Sequence, residues 1–220
     1  MKAAIPGFDS LPVVCGISDR HIGHDDFLKS LGVIKARLAR MQQVHAAKVV
    51  KVGARTDLSR EIAEADAAIT DVRGIALSVR TADCLPVLFY DPENEAIGAA
   101  HAGWRGTRER ICPGVVGMMV SAFGTDPSKL VVGFGPALRQ CCYEVNSEFL
   151  VHFPGSVVKM AHKHYFDMVG ENAGQLISAG VSSKNIYDCG ICTSCMNGDF
   201  FSYRREKDAA GRMLTVIMLK

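Results

Sequence analysis

The chain has 220 residues, 48% of them hydrophobic and 22% charged, the balance of a globular protein able to bury one substantial core. A formal net charge of +2 gives no electrostatic case for a nucleic-acid or membrane partner. No apolar run approaches membrane-spanning length, and no basic segment followed by an apolar one opens the chain, so a cytoplasmic location is expected.

Residues 12–17 read as a strand, and Phe27, Leu28, Leu31, Ile34 and Leu38 give helical spacing over residues 25–40. Residues 48–52 alternate as a strand, with His45 at its mouth, where a lone imidazole is ordinarily solvated or satisfied in the core. Residues 61–71 begin acidic and small, as a short helix or turn leading into 67–70. Asp66 and Asp71 bracket that segment. Either could orient a partner side chain; capping and turn chemistry is the plainer account.

Residues 75–79 and 85–90 read as buried strands with Asp83-Cys84 between them. Residues 96–100 form a third, reached through the turn Asp91-Pro92-Glu93-Asn94. Antiparallel pairing of the last two brings Cys84, just before one, and His101, just after the other, to the same end of a sheet. Gly103 and Gly106 then surround Trp104-Arg105, and Thr107 can cap a helix to about Phe123, with Pro113 in its first turns. Glycines allow close backbone approach, a helix start favours anions, and Arg105 can fork onto an oxyanion. This corner is therefore a candidate for holding phosphate, the alternative being a tight turn with Arg105 in a structural ion pair.

Residues 130–134 read as another buried strand. A helix is expected from about Ser147, after Cys141-Cys142-Tyr143-Glu144-Val145, and a second over residues 167–179 with Gly180 closing it. Eight cysteines in a reducing compartment are apolar thiols, metal ligands or a nucleophile rather than disulfides. The run Cys189-Gly190-Ile191-Cys192-Thr193-Ser194-Cys195 invites an iron–sulfur or zinc reading. A ferredoxin pattern needs a fourth cysteine and a proline soon afterwards, and no cysteine follows Cys195, so ordinary thiols are expected there. The last strand spans 213–219. No repeat or linker divides the chain, which reads as a single domain over residues 1–220.

Gln43-Val44-His45, Ala65-Asp66-Ala67, Thr81-Ala82-Asp83-Cys84-Leu85-Pro86-Val87, Ala100-His101-Ala102-Gly103-Trp104-Arg105-Gly106-Thr107, Cys142-Tyr143-Glu144-Val145, Phe201-Ser202-Tyr203-Arg204 and Gly211-Arg212-Met213 resemble the YfiH family. That family was first described as multicopper polyphenol oxidoreductase (laccase) and later as purine nucleoside phosphorylases. The likeness runs from about Met41 to the C-terminus. It departs earlier, where Cys15-Gly16-Ile17-Ser18 keeps only a trace of the family's glycine-rich segment, so no substrate contact is carried over from there.

The resemblance implies an α/β (α+β) fold of mixed sheets layered with helices, similar to the cysteine-hydrolase-like fold of cytotoxic necrotizing factor toxins. It implies a metal site at His45, Cys84 and His101 for zinc, with copper the older attribution. Two imidazoles, one thiolate and an open fourth position are the pattern of a catalytic zinc. The implied partners are a purine nucleoside and phosphate, and the implied reactions are phosphorolysis of adenosine, inosine, guanosine and methylthioadenosine, plus adenosine deamination. On that reading Arg105 holds phosphate, Tyr143, Phe201 and Tyr203 stack the purine, and Arg204 is a second anion or ribose contact. Asp83 and Glu144 would transfer protons or orient a ligand imidazole. The expected state is a monomer or small homo-oligomer. Four alternatives stand beside it: a metal-independent amidase or deamidase with Cys84 as nucleophile and His101 as base, a copper polyphenol oxidoreductase, a non-catalytic protein stapled by zinc, and an editor of cell-wall precursors.

Overall fold

In the computed structural model, which describes residues 5–220, the buried strands expected between residues 75 and 102 form the middle of the molecule. In chain order the elements are β1 (Val13–Ile17), α1 (His24–Ser30), β2 (Leu38–Ala39), β3 (Val49–Lys51), β4 (Ala67–Thr70), β5 (Ala76–Thr81), β6 (Leu85–Asp91) and β7 (Ala96–Ala102). Next come α2 (Trp104–Arg108), α3 (Ile111–Phe123), β8 (Val131–Phe134), β9 (Glu144–Val145), α4 (Phe149–His152), β10 (Val157–Met160) and β11 (Lys163–Phe166). The chain closes with α5 (Met168–Ser178), β12 (Ile186–Asp188), α6 (Tyr203–Glu206) and β13 (Met213–Leu219). The strands pair as a six-stranded sheet in the order β12-β8-β6-β7-β4-β3, a four-stranded sheet β1-β13-β5-β2 and a small sheet β10-β11-β9.

Every residue of β6 is buried, so it reads as a continuous apolar run rather than an alternating one. Its pleat nonetheless sorts the side chains. Leu85, Val87 and Phe89 pack with Ile111, Val115 and Met119 of α3 and Leu176 of α5. Leu88 and Tyr90 point the other way, into a core shared with Leu77, Val79, Met213 and Ile217 of the four-stranded sheet. Helix α1 covers that sheet's far side through Phe27 and Leu28 against Ala76, Leu214 and Val216. The result is a helix–sheet–sheet–helix stack with mixed strand directions, the layered α+β arrangement that the resemblance implies. Gly98 makes the middle of it possible: a Cβ there would stand 3.2 Å from Val115 Cγ1 and 3.3 Å from Phe89 Cβ, so α3 can settle on β7.

Three helices differ from expectation. The one expected over 25–40 ends at Ser30, because Gly32 turns left-handed at φ 68° and the Val33 N–H closes back onto Leu28 O at 2.9 Å. The one expected from Thr107 starts at Trp104, breaks at Arg110 (φ 63°) and resumes as α3. Thr107 is buried within α2 and its Oγ1 accepts from Asn172 Nδ2 at 3.0 Å, so it is no cap. The one expected from Ser147 is a single turn, after which the β10–β11 hairpin forms. Residues 61–66 are not helical, with Glu64 bridging to Gln42. No described helix is long and apolar enough to cross a membrane.

Candidate active site

In the register of β6 against β7, Leu85 faces Ala102 and Pro86 faces His101. Cys84 and His101 therefore meet at one end of the six-stranded sheet, as the hairpin argument requires, although His101 lies within β7 rather than past its end. His45 joins them from the loop before β3. Ligand atoms of His45, Cys84 and His101 all lie within 4.8 Å of one another, and the two imidazoles stand edge to face, centroids 4.8 Å apart.

The residue that assembles this trio is Asp66, fully buried one position before β4. Its carboxylate accepts the backbone N–H groups of Val44 (3.1 Å), His45 (3.0 Å) and Ala46 (2.8 Å). That network holds His45 at its left-handed φ of 60°. The same carboxylate lies 2.7 Å from His101 Nδ1, and the Asp66 carbonyl accepts the His101 N–H at 2.7 Å. Burial disfavours the charge on Asp66, but His101 and the amides hold its pKa below the usual carboxylate range. With Nδ1 donating to Asp66, Nε2 of His101 is left to act as a ligand.

Burial also opposes ionisation of Cys84, yet the charge and hydrogen bonds of His101 and His45 bring its pKa down to about 6. His101 moves the opposite way. Burial opposes its protonation, and the Cys84 thiolate and the Asp66 carboxylate raise it to about 9. A preformed thiolate, two converging imidazoles and a carboxylate behind one of them fit a soft divalent ion. Gly103 completes the enclosure, since a Cβ there would come 3.0 Å from Cys84 Sγ.

Two clefts meet at His45, Cys84, Arg105 and Tyr203. The larger, about 730 Å³, is lined by Arg80, Arg105 and Arg212 and by no carboxylate. The smaller, about 410 Å³, has an aromatic wall of Trp104, Tyr143 and Phe149 with Asp83, Glu144 and Arg204 around it. The Arg105 guanidinium lies 4.6 Å over the Trp104 ring, and no ion pair with a described carboxylate is formed.

The other expected residues divide. Tyr143, Glu144, Tyr203 and Arg204 all line the aromatic cleft. Arg204 stands 5.6 Å over the Tyr143 ring, and Glu144 Oε2 accepts from Lys163 Nζ at 2.8 Å. Asp83, at a left-handed φ of 81°, accepts from Thr193 Oγ1 (2.6 Å) and the Arg204 N–H (2.5 Å); the carboxylate that orients an imidazole is that of Asp66. Phe201 lines neither cleft. It packs on the inter-sheet core beneath the Arg20 guanidinium, against Gly211, where a Cβ would strike its ring at 2.5 Å. Sequence reasoning missed Arg80, Arg212, Trp104 and Phe149 as lining residues. Arg80 directly precedes one of the quoted motifs, and Trp104 and Arg212 lie within two others, which was the available signal.

Comparison with known proteins identifies the family. The family model described as multi-copper polyphenol oxidoreductase laccase matches residues 23–220. Purine nucleoside phosphorylase YlmD of Geobacillus stearothermophilus is 34% identical over 192 residues, 80% of this chain and 70% of the relative. Adenosine deaminase RL5, from an unknown prokaryotic organism, is 32% identical over 86% of this chain and 78% of its own length. The crystal structure of YlmD from Geobacillus stearothermophilus superposes with a TM-score of 0.91 at 28% identity, covering 98% of this chain and 94% of that one.

Proposed function

Because the chain belongs to the multi-copper polyphenol oxidoreductase laccase family, whose relatives carry the names purine nucleoside phosphorylase and adenosine deaminase, we propose that it is a zinc-dependent purine nucleoside phosphorylase with a side activity as an adenosine deaminase. The observation that carries this reading is the junction at Cys84. There a cleft lined by three arginines meets a cleft with an aromatic wall at a two-histidine, one-thiolate group. Phosphate is an anion with forked acceptors and a purine is a flat π-surface, so the two halves of the reaction find separate chemistry.

In this reading Arg105, with Arg80 and Arg212, binds phosphate in the cationic cleft. Tyr143 and Trp104 flank the base. Phosphate oxygen forms the new bond to C1′ of the ribose as the bond from C1′ to the purine nitrogen breaks, and its electron pair leaves with the base. Glu144, at the rim of the aromatic cleft, relays a proton from solvent to that departing base. Arg204 contacts the ribose, and Asp83 is a positioning residue that fixes the wall through Thr193 and the Arg204 amide. His45, Cys84 and His101 would hold zinc, which supplies stabilisation of developing negative charge.

The test is chromatography of adenosine incubations with and without phosphate, alongside metal analysis. Adenine formed only when phosphate is present, with a zinc equivalent lost on Cys84→Ala, is the expected result. A second reading has its own observation: Cys84, His101 and Asp66 align as nucleophile, base and orienting carboxylate. Protein that carries no metal at this site, leaves adenosine unchanged and hydrolyses amides would establish that thiol hydrolase in place of the phosphorylase.

A further inference from the structure

Cys141 and Cys142 lie about fifty residues from Cys192 and Cys195 in the chain, yet the four sulfurs all lie within 4.8 Å of one another. The backbone brings them together. Ala137 bridges Cys192 in parallel pairing, the Thr193 N–H reaches Ala137 O at 3.0 Å, and the Arg139 guanidinium grips Asp188 and Ile191 O across the same seam. We propose that Cys141, Cys142, Cys192 and Cys195 hold one structural zinc ion, separate from the group at Cys84.

The distances fit a single tetrahedral ion. With Zn–S bonds of about 2.3 Å, sulfurs at the corners of a tetrahedron stand about 3.8 Å apart. Here Cys141 and Cys195 are 3.7 Å apart and Cys142 and Cys195 3.4 Å. A disulfide needs about 2.05 Å and joins only two sulfurs. In a 4Fe–4S cluster each thiolate binds a different iron atom, and in a 2Fe–2S cluster two pairs of thiolates bind two irons, so either spreads the four sulfurs further than one ion does.

Burial does not account for the group either. Cys112 is a buried apolar thiol, whereas Cys141 and Cys195 are exposed and only Cys192 is buried. Cys192 and Cys195 have the two-residue spacing of zinc sites, and a soft four-sulfur set with no position left open is the structural rather than the catalytic pattern. Cys189 stands apart, its sulfur 3.9 Å from an Arg139 nitrogen.

The position gives the ion a purpose. Thr193, between two of the ligands, donates to Asp83 beside Cys84. Tyr143 follows Cys142 and lines the aromatic cleft. One ion would therefore tie together two turns that frame the cleft without entering it. This assignment holds whichever reaction Cys84 serves.

The test is zinc analysis of the purified protein together with alkylation mapped by mass spectrometry. About two zinc ions per chain are expected, with about one remaining in Cys84→Ala and about one in the double variant Cys141→Ser/Cys195→Ser. In the unaltered protein, Cys141, Cys142, Cys192 and Cys195 should resist alkylation until a chelator is added, a readout that decides the matter even if the double variant does not fold. Ready alkylation of those four before chelation, a Cys142–Cys195 disulfide, or iron in place of zinc would overturn the assignment.

Discussion

His45, Cys84 and His101 are held by strand ends and by one buried carboxylate, whereas Cys141, Cys142, Cys192 and Cys195 are held by turns joined through an isolated bridge. The first set faces two clefts and leaves a coordination position free; the second satisfies four-fold coordination with protein sulfur alone. A site that must present an open position to substrate cannot rely on its ion for rigidity, so the sheet and Asp66 provide it beforehand. A site that only braces loops can take its order from the ion.

Crossed substitutions would separate these roles most sharply. Cys84→Ala should lower turnover by about a thousandfold, since it removes the central donor of the open site, with a smaller loss of thermal stability than a four-thiol variant shows. Cys195→Ser should do the reverse: turnover per folded molecule is retained, while stability falls by ~3 kcal/mol, comparable to a lost disulfide, or roughly 6–12 °C in Tm for a chain of this size. Steady-state kinetics and calorimetry on both variants check this, and two variants that lose activity and stability together would erase the distinction. Next in size is Asp66→Asn. Its amide nitrogen cannot accept from His101 or from the Val44–Ala46 backbone, and zinc affinity at the open site should drop by about ten- to a hundredfold, with the four-thiol site unaffected in the same metal titration. Arg105→Ala should follow, raising KM for phosphate by about tenfold or more through the loss of charge-assisted hydrogen bonds, with little change in kcat. An unchanged phosphate KM would remove Arg105 from the anion cleft.

How much of this was legible in the sequence also differs between the two regions. The β6–β7 unit could be read directly, because two apolar runs joined by Asp91-Pro92-Glu93-Asn94 admit few pairings, and its register alone carries Cys84 to His101. The role of Asp66 was only half visible. A carboxylate before a strand looks like a turn residue until β4 is laid beside β7 and the loop at 44–46 folds over it. The helix break at Arg110 does have a signal in Pro113, which lacks the N–H that a continuous helix would set on Glu109 and is tolerated in the first turn of α3. The exposed β10–β11 hairpin left no strand signal in the sequence, because β10, Val157–Met160, is solvent-facing along most of its length and so shows no buried alternation. The four-thiol group was illegible for a related reason: a search for the fourth ligand after Cys195 looked along the chain, while the fold brings it from Cys141 and Cys142 through the bridge of Ala137 to Cys192.

The smallest effect is also the most diagnostic of how the open site is prepared. In metal-free protein, the folded-state pKa of Cys84 is about 6, below the ordinary thiol value of about 8.5. The lowered value means that its contribution to stability is present at high pH and is lost as pH falls through about 6. His101, raised to about 9, contributes in the opposite sense, and its share is lost as pH rises through about 9. Between those limits the site holds a thiolate–imidazolium pair. Alkylation of Cys84 should therefore rise with a midpoint near pH 6 and level off by roughly pH 7, where an ordinary thiol is still climbing. Cys112, pushed up by burial alone, should stay unlabelled in the folded chain throughout. Replacing His101 with Gln removes the largest favourable partner of the thiolate and should carry the Cys84 midpoint upward. If the midpoint instead sits near 8.5 in the unaltered protein, the thiolate is not preformed. Metal binding would then have to expel the proton itself, and the open site would depend on its ion as the four-thiol site does.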